Sequence, residues 1–165
     1  MQVHDIMSSP ALTVTPATPI QEVTRLMREH QISGLPVVGE HGELLGIVSE
    51  LDLIARSAPL KQPYYLTFLS SMIPLNPTEY RQYKEHALQA LATNAGELMG
   101  KDDLAAAAVT PTTDIDDVMR RMLDDPRLTL LPVLENGRVI GVVTRTDVVR
   151  MIEKLELELM HRNDE

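Results

Sequence analysis

Twice in this chain a hydroxyl stands three residues ahead of an aspartate at the end of an apolar run: Ser49 and Asp52 in GIVSELD (46–52), Thr144 and Asp147 in GVVTRTD (141–147). If each run is a strand and each hydroxyl caps the helix that follows, the free amides of that first turn and the helix dipole favour an anion. A short carboxylate at the end of a parallel-type strand can accept two hydroxyl donors, as an acidic residue does for ribose in dinucleotide folds. The glycine that opens each stretch permits close backbone approach. Amides and a hydroxyl for phosphate, with a carboxylate for a diol, are together compatible with a nucleotide. Ser/Thr-x-x-Asp is also a plain capping box, and a duplicated unit duplicates its caps. The pattern therefore locates a site without naming its ligand.

Other chemistries find little support. There is no Cys, which excludes disulfides, thiolate metal sites and a cysteine nucleophile. The five histidines (4, 30, 41, 86 and 161) show no short ligand spacing, so no metal site is expected. The pairs Asp102-Asp103 and Asp116-Asp117 are adjacent, and adjacent side chains on a helix point apart. Asp124-Asp125 ahead of Pro126 reads as a helix-ending turn. No residue set meets the needs of catalysis, and the chain is read as a non-enzyme.

The two stretches are parts of a longer repeat at an offset of 95. Val14-Thr15-Pro16 matches Val109-Thr110-Pro111; Ile20, Val23 and Met27 match Ile115, Val118 and Met122; after a one-residue gain, undone in the following turn, Leu35-Pro36-Val37 matches Leu131-Pro132-Val133. VHDIM (3–7) matches AGELM (95–99) with a slightly different gap. In the first copy, Thr18 is expected to cap a helix with Pro19 at its first position and Gln21 in a capping box. A hairpin follows, 35–38 and 44–48 around Gly39-Glu40-His41-Gly42, and then a helix from Glu50. The second copy predicts a helix over 114–124, strands near 131–134 and 139–143 around Asn136-Gly137, and a helix from Arg145 with a stripe of Met151, Ile152, Leu155 and Leu159. Each copy reads β-α-β-β-α, an α/β fold of the α+β type with residues 1–57 and 95–165 as the repeats.

Residues 58–94 separate them. The stretch 58–77 is apolar and Pro-punctuated, and 78–94 reads as a helix capped by Thr78 and ending near Asn94. The segment is expected to cover an edge or to pack on a partner. The formal net charge of -9 argues against a nucleic-acid surface. No apolar run approaches the roughly 18 residues of a membrane span, and the first twenty residues lack the pattern of a signal peptide, so a cytoplasmic location is expected.

The T-V-x-P-x-T entry, the helix, the L-P-V strand and the G-h-h-[ST]-x-x-D junction, in that order and twice, resemble the CBS (cystathionine β-synthase) domain pair, the Bateman module. The resemblance covers the chain apart from 58–94. It implies two repeats packed about a pseudo-twofold axis, with two clefts for AMP, ADP, ATP or another adenosyl ligand, no required cofactor, and a homodimer that reports to a separate regulated protein. The alternative is a dimerising scaffold with empty clefts. By this resemblance Ser49 and Asp52 serve one cleft and Thr144 and Asp147 the other, with Ser33-Gly34 and Thr129-Leu130 lining them. Many nucleotide-sensing relatives carry a basic residue ahead of L-P-V, where this chain has Gly34 and Leu130. Arg145 is then the candidate phosphate cation of the Thr144 cleft, and Glu50 the opposing charge at the Ser49 cleft.

Overall fold

A computed structural model describes residues 1–61, 63, 65–68, 71–74, 76–100 and 107–163, with backbone alone at 65–68, 71–74, 162 and 163. In the first copy Val14 makes an isolated parallel bridge to Val37. Helix α1 (Ile20–His30) follows, then β1 (Gly34–Val38) paired antiparallel with β2 (Leu44–Ser49), then α2 (Glu50–Ser57). The intervening segment forms a hairpin of β3 (Tyr65–Phe68) and β4 (Ser71–Pro74), and α3 (Pro77–Ala90), which packs on α2. A single turn, α4 (Ala95–Leu98), leads into the second copy: Val109 bridges Val133 in parallel, and α5 (Ile115–Asp124), β5 (Leu130–Glu135), β6 (Arg138–Thr144) and α6 (Arg145–Asn163) complete it. The β5–β6 turn holds Asn136 at φ 51° and Gly137 at φ 77°, the paired positive angles of the two-residue turn that matches strand twist.

Two helix starts and one helix end differ from expectation. α1 begins one residue late, with Pro19 at the cap, because the Thr18 hydroxyl instead accepts the N–H of Thr15 at 3.0 Å. α3 is capped by Asn76, whose side chain accepts from Thr78 and Glu79, so Thr78 lies inside the helix. Asn94 does not end that helix but caps α4. The strands that carry the aspartate junctions are antiparallel to their neighbours, and the parallel pairing of each unit is confined to its bridge at Val14 or Val109. The pair Asp102-Asp103 lies outside the described residues.

The cores reveal an exchange. Val3, fully buried, packs with Val109, Ile115, Val118 and Leu131 of the second copy. Ala92, Ala95 and Leu98 pack with Val14, Val23, Leu35 and Val48 of the first. Backbone bonds fix both crossings: Ser8 and Val142 exchange N–H···O bonds at 2.9 and 3.0 Å, and Gly100 and Ile47 do so at 3.0 and 3.2 Å. The repeats divided at 57 and 95 are thus continuous in chain but not in core; each lead-in finishes the other unit. The repeated glycine acquires its reason here. A Cβ on Gly46 would lie 2.5 Å from Met99 Sδ and 2.9 Å from Gly100 O, and one on Gly141 would lie 3.0 Å from Ser8 O. The close approach permitted is that of the chain's own crossing segment.

Candidate ligand clefts between the repeats

Both aspartates fold back on their caps. Asp147 Oδ2 accepts from Thr144 N at 2.8 Å and from Thr144 Oγ1 at 2.7 Å, while Asp147 N donates to Thr144 Oγ1 at 3.2 Å. Asp52 Oδ2 accepts from Ser49 N and Oγ, both at 2.7 Å, and Asp52 N reaches Ser49 Oγ at 3.4 Å. The first amide of each helix is also committed, Glu50 N to Ser33 O at 2.9 Å and Arg145 N to Thr129 O at 3.3 Å. Two of the first three amides at each junction are therefore consumed internally. Anion attraction there rests on the dipole and on side chains more than on free N–H groups.

The two carboxylates differ in what remains. Asp147 is buried, at 6% exposure; its Oδ1 lies 3.2 Å from Arg150 Nη1 and 3.5 Å from Ser8 Oγ. Asp52 is half-buried, and its Oδ1 accepts no bond among the described residues. Each oxygen has two lone-pair directions, so Asp52 Oδ1 keeps both open toward a diol, whereas Asp147 accepts one by displacing the 3.5 Å Ser8 contact or the exposed Arg150.

The clefts are built across the repeats. Thr144, Asp147 and Arg150 of the second copy share a cavity of about 460 Å³ with Ser33, Gly34 and Glu50 of the first, and with Ser8, Pro10 and Leu12 of the crossing segment. Ser49 and Asp52 share a smaller cavity, about 130 Å³, with Arg127, Leu128, Thr129 and Leu130. Leu130 lines both. The larger cavity falls in the range of small-molecule sites, roughly 300–1,000 Å³.

Arg145 and Glu50 are not placed as the sequence suggested. The Arg145 guanidinium does not line the Thr144 cavity; Nη2 donates to Pro126 O at 2.5 Å, on the loop that borders the Ser49 cavity. Glu50 lines the Thr144 cavity instead of the Ser49 one. The reason is angular: consecutive residues of a helix point about 100° apart, so the cap hydroxyl and the residue after it address different clefts. The cation found at the Thr144 cavity is Arg150, three residues beyond Asp147 on α6 and ion-paired to it. An Asp-x-x-Arg spacing on a helix signals such a pair. Ser8, Pro10, Leu12 and Arg127 carried no such local signal, since the crossing and the loop bring them in. Beside the Ser49 cavity, hydrogen bonds from Arg127, then its charge and that of Arg145, hold the Asp125 carboxyl below the usual carboxylate range. Among the described residues no group of three His, Asp or Glu is arranged to hold a metal ion, and no helix is long and apolar enough to cross a membrane.

Two β-α-β-β-α units that exchange their lead-ins and share two clefts define a tandem-repeat α/β module. Residues 3–58 and 95–154 each match the CBS domain model, and the chain belongs to the CBS domain family. An uncharacterized protein of Methanocaldococcus jannaschii is 29% identical over 158 residues, spanning 92% of this chain and 91% of that one. The chloroplastic CBS domain-containing protein CBSX2 of Arabidopsis thaliana is 27% identical over 88% of this chain and 60% of its own length. A crystal structure of CBSX2 in complex with AMP superposes with a TM-score of 0.71 at 26% identity, covering 93% of this chain and 97% of that one.

Proposed function

We propose that this protein is a regulatory module that binds an adenine nucleotide (AMP, ADP or ATP) or a related adenosyl ligand in the Asp147 cleft and passes its occupancy to a partner protein. One observation carries the reading: the cleft is walled by both repeats, with Thr144 and Asp147 on one side and Ser33, Gly34 and Glu50 on the other. A ligand there touches both halves and shifts their arrangement by its differential affinity for the two states. The residues suit an adenosyl group in kind, with a buried carboxylate for a diol and a guanidinium beside it. The AMP complex of CBSX2, similar over nearly the whole chain, supports the ligand class. The protein acts as a homodimer with no catalytic step of its own, located in the cytoplasm. A thermal-shift panel of adenosine, AMP, ADP, ATP, S-adenosylmethionine and GTP tests this. Ligand at about 100 times its Kd stabilises the fold by about 2.7 kcal/mol per site. A folded dimer unmoved by any of them would leave the scaffold reading in its place.

A further inference from the structure

Resting on that reading, we propose that Glu50 is a charge filter for the Asp147 cleft, restricting it to adenosyl ligands with at most one phosphate. Four charge-bearing side chains line this cavity: His30, Glu50, Asp147 and Arg150. Asp147 and Arg150 neutralise one another across 3.2 Å. Glu50 forms no ion pair among the described residues, so its carboxylate is the uncompensated charge of the cleft. The position is enforced by backbone: Glu50 N donates to Ser33 O at 2.9 Å, which seats the first residue of α2 beside the Ser33-Gly34 entry to β1. The equivalent residue of the second copy is Arg145, held toward Pro126 at the other cleft. Repetition of the fold with opposite charges at this one position makes the clefts electrostatically unlike.

The energetic consequence scales with ligand charge. A carboxylate repels a triphosphate more than a monophosphate and leaves an uncharged nucleoside untouched. Being solvent-facing, its effect is screened by salt. The expected order in the Asp147 cleft is therefore AMP or adenosine ahead of ADP, and ADP ahead of ATP.

The test is calorimetric titration of the full-length protein with adenosine, AMP, ADP and ATP at pH 8. Wild type, Glu50→Gln and Asp147→Asn are compared at low and high salt. Glu50→Gln is expected to tighten ATP by about fivefold or more while changing adenosine less than twofold, with the gain shrinking in salt. Asp147→Asn should weaken all four alike. Ligands that bind and are lost in Asp147→Asn, with an ATP-to-adenosine ratio that Glu50→Gln does not alter, would overturn the filter and leave the ligand site standing. Binding by none of the four in any variant would overturn both.

Discussion

Gly46 and Met99 occupy space that a single methyl group would contest: a Cβ on Gly46 would fall 2.5 Å from Met99 Sδ and 2.7 Å from its Cγ. Part of this clash is with a flexible side chain, but Gly100 O, at 2.9 Å, is backbone held by its own pairing with Ile47. Gly46→Ala is expected to cost about 1–3 kcal/mol through overpacking. Adding Met99→Ala should recover only part of what the methyl costs, because the carbonyl remains. Gly141→Ala, whose nearest contacts are 3.0 and 3.1 Å, should cost less. Urea unfolding of the four proteins ranks them directly.

That contact also shows where sequence reading stops. The duplicated hydrophobic register was legible because the apolar positions recur in the same order about 95 residues on, and the hairpin turns were legible from Asn136-Gly137 and Gly42, which sit at positive φ. Ser49 and Thr144 were recognisable as caps from spacing alone. The exchange of Val3 and Leu98 between cores was not legible: both lead-ins look alike, and a local pattern does not say which of two similar cores a segment enters. For the same reason the company Asp147 keeps across its cleft, Ser8 bonded from the other end of the chain and Glu50 lining the same cavity from the other repeat, was out of reach. A misplaced Arg145 followed from treating a cap and its neighbour as facing one cleft. The α6 stripe divides too, with Met151 buried at 9% and Ile152, Leu155 and Leu159 at 40–47% exposure.

The exchange makes a regional prediction. Val3 is fully buried among second-copy residues, and Val3→Ala should cost about 1–3 kcal/mol by lost burial and a cavity. Removing residues 1–8 also strips the Ser8–Val142 bonds. Amide hydrogen exchange should then accelerate in β5 and β6 while β1 and β2 keep their protection. Faster exchange confined to the first copy would contradict the crossing.

The entry to α4 should contribute to acid sensitivity. The Glu97 carboxylate accepts from Thr93 N at 2.7 Å and from Thr93 Oγ1 at 3.1 Å, and these bonds hold its carboxyl below the usual glutamate range. With the folded value below the unfolded one, the contribution is complete above the unfolded pKa of about 4.3 and fades as pH falls through the lowered folded value. Between pH 5 and pH 3, Glu97→Gln should therefore lose less stability than wild type. Parallel losses in chemical denaturation would remove Glu97 from the acid response.

The second helices of both units leave matching apolar side chains in solvent, Ile54 at 63% and Val149 at 64% exposure, with Leu51 at 49% beside the first. The proposed homodimer covers them. Ile54→Glu with Val149→Glu should shift the species seen by sedimentation from dimer to monomer with the fold retained by circular dichroism. Dimers unaffected by both charges would place the interface elsewhere.

Ligand binding should follow Asp147 and ignore Asp52 if the larger cleft is the occupied one. Asp147→Asn retains an oxygen to accept the Thr144 cap, and the Arg150 it leaves behind is 69% exposed at its side chain, so the loss of a pair with so exposed a partner costs little. Its stability should fall by about 1 kcal/mol or less, a shift of about 2–4 °C in Tm for a chain of this size. Recognition suffers more, since an amide donates where a second diol hydroxyl needs an acceptor and leaves a buried polar mismatch. AMP affinity in Asp147→Asn is expected to drop about tenfold or more, and Asp52→Asn to leave it unchanged. The reverse pattern, AMP lost in Asp52→Asn and kept in Asp147→Asn, would move the ligand to the Ser49 cleft, where Arg127 and not Arg150 is the neighbouring cation.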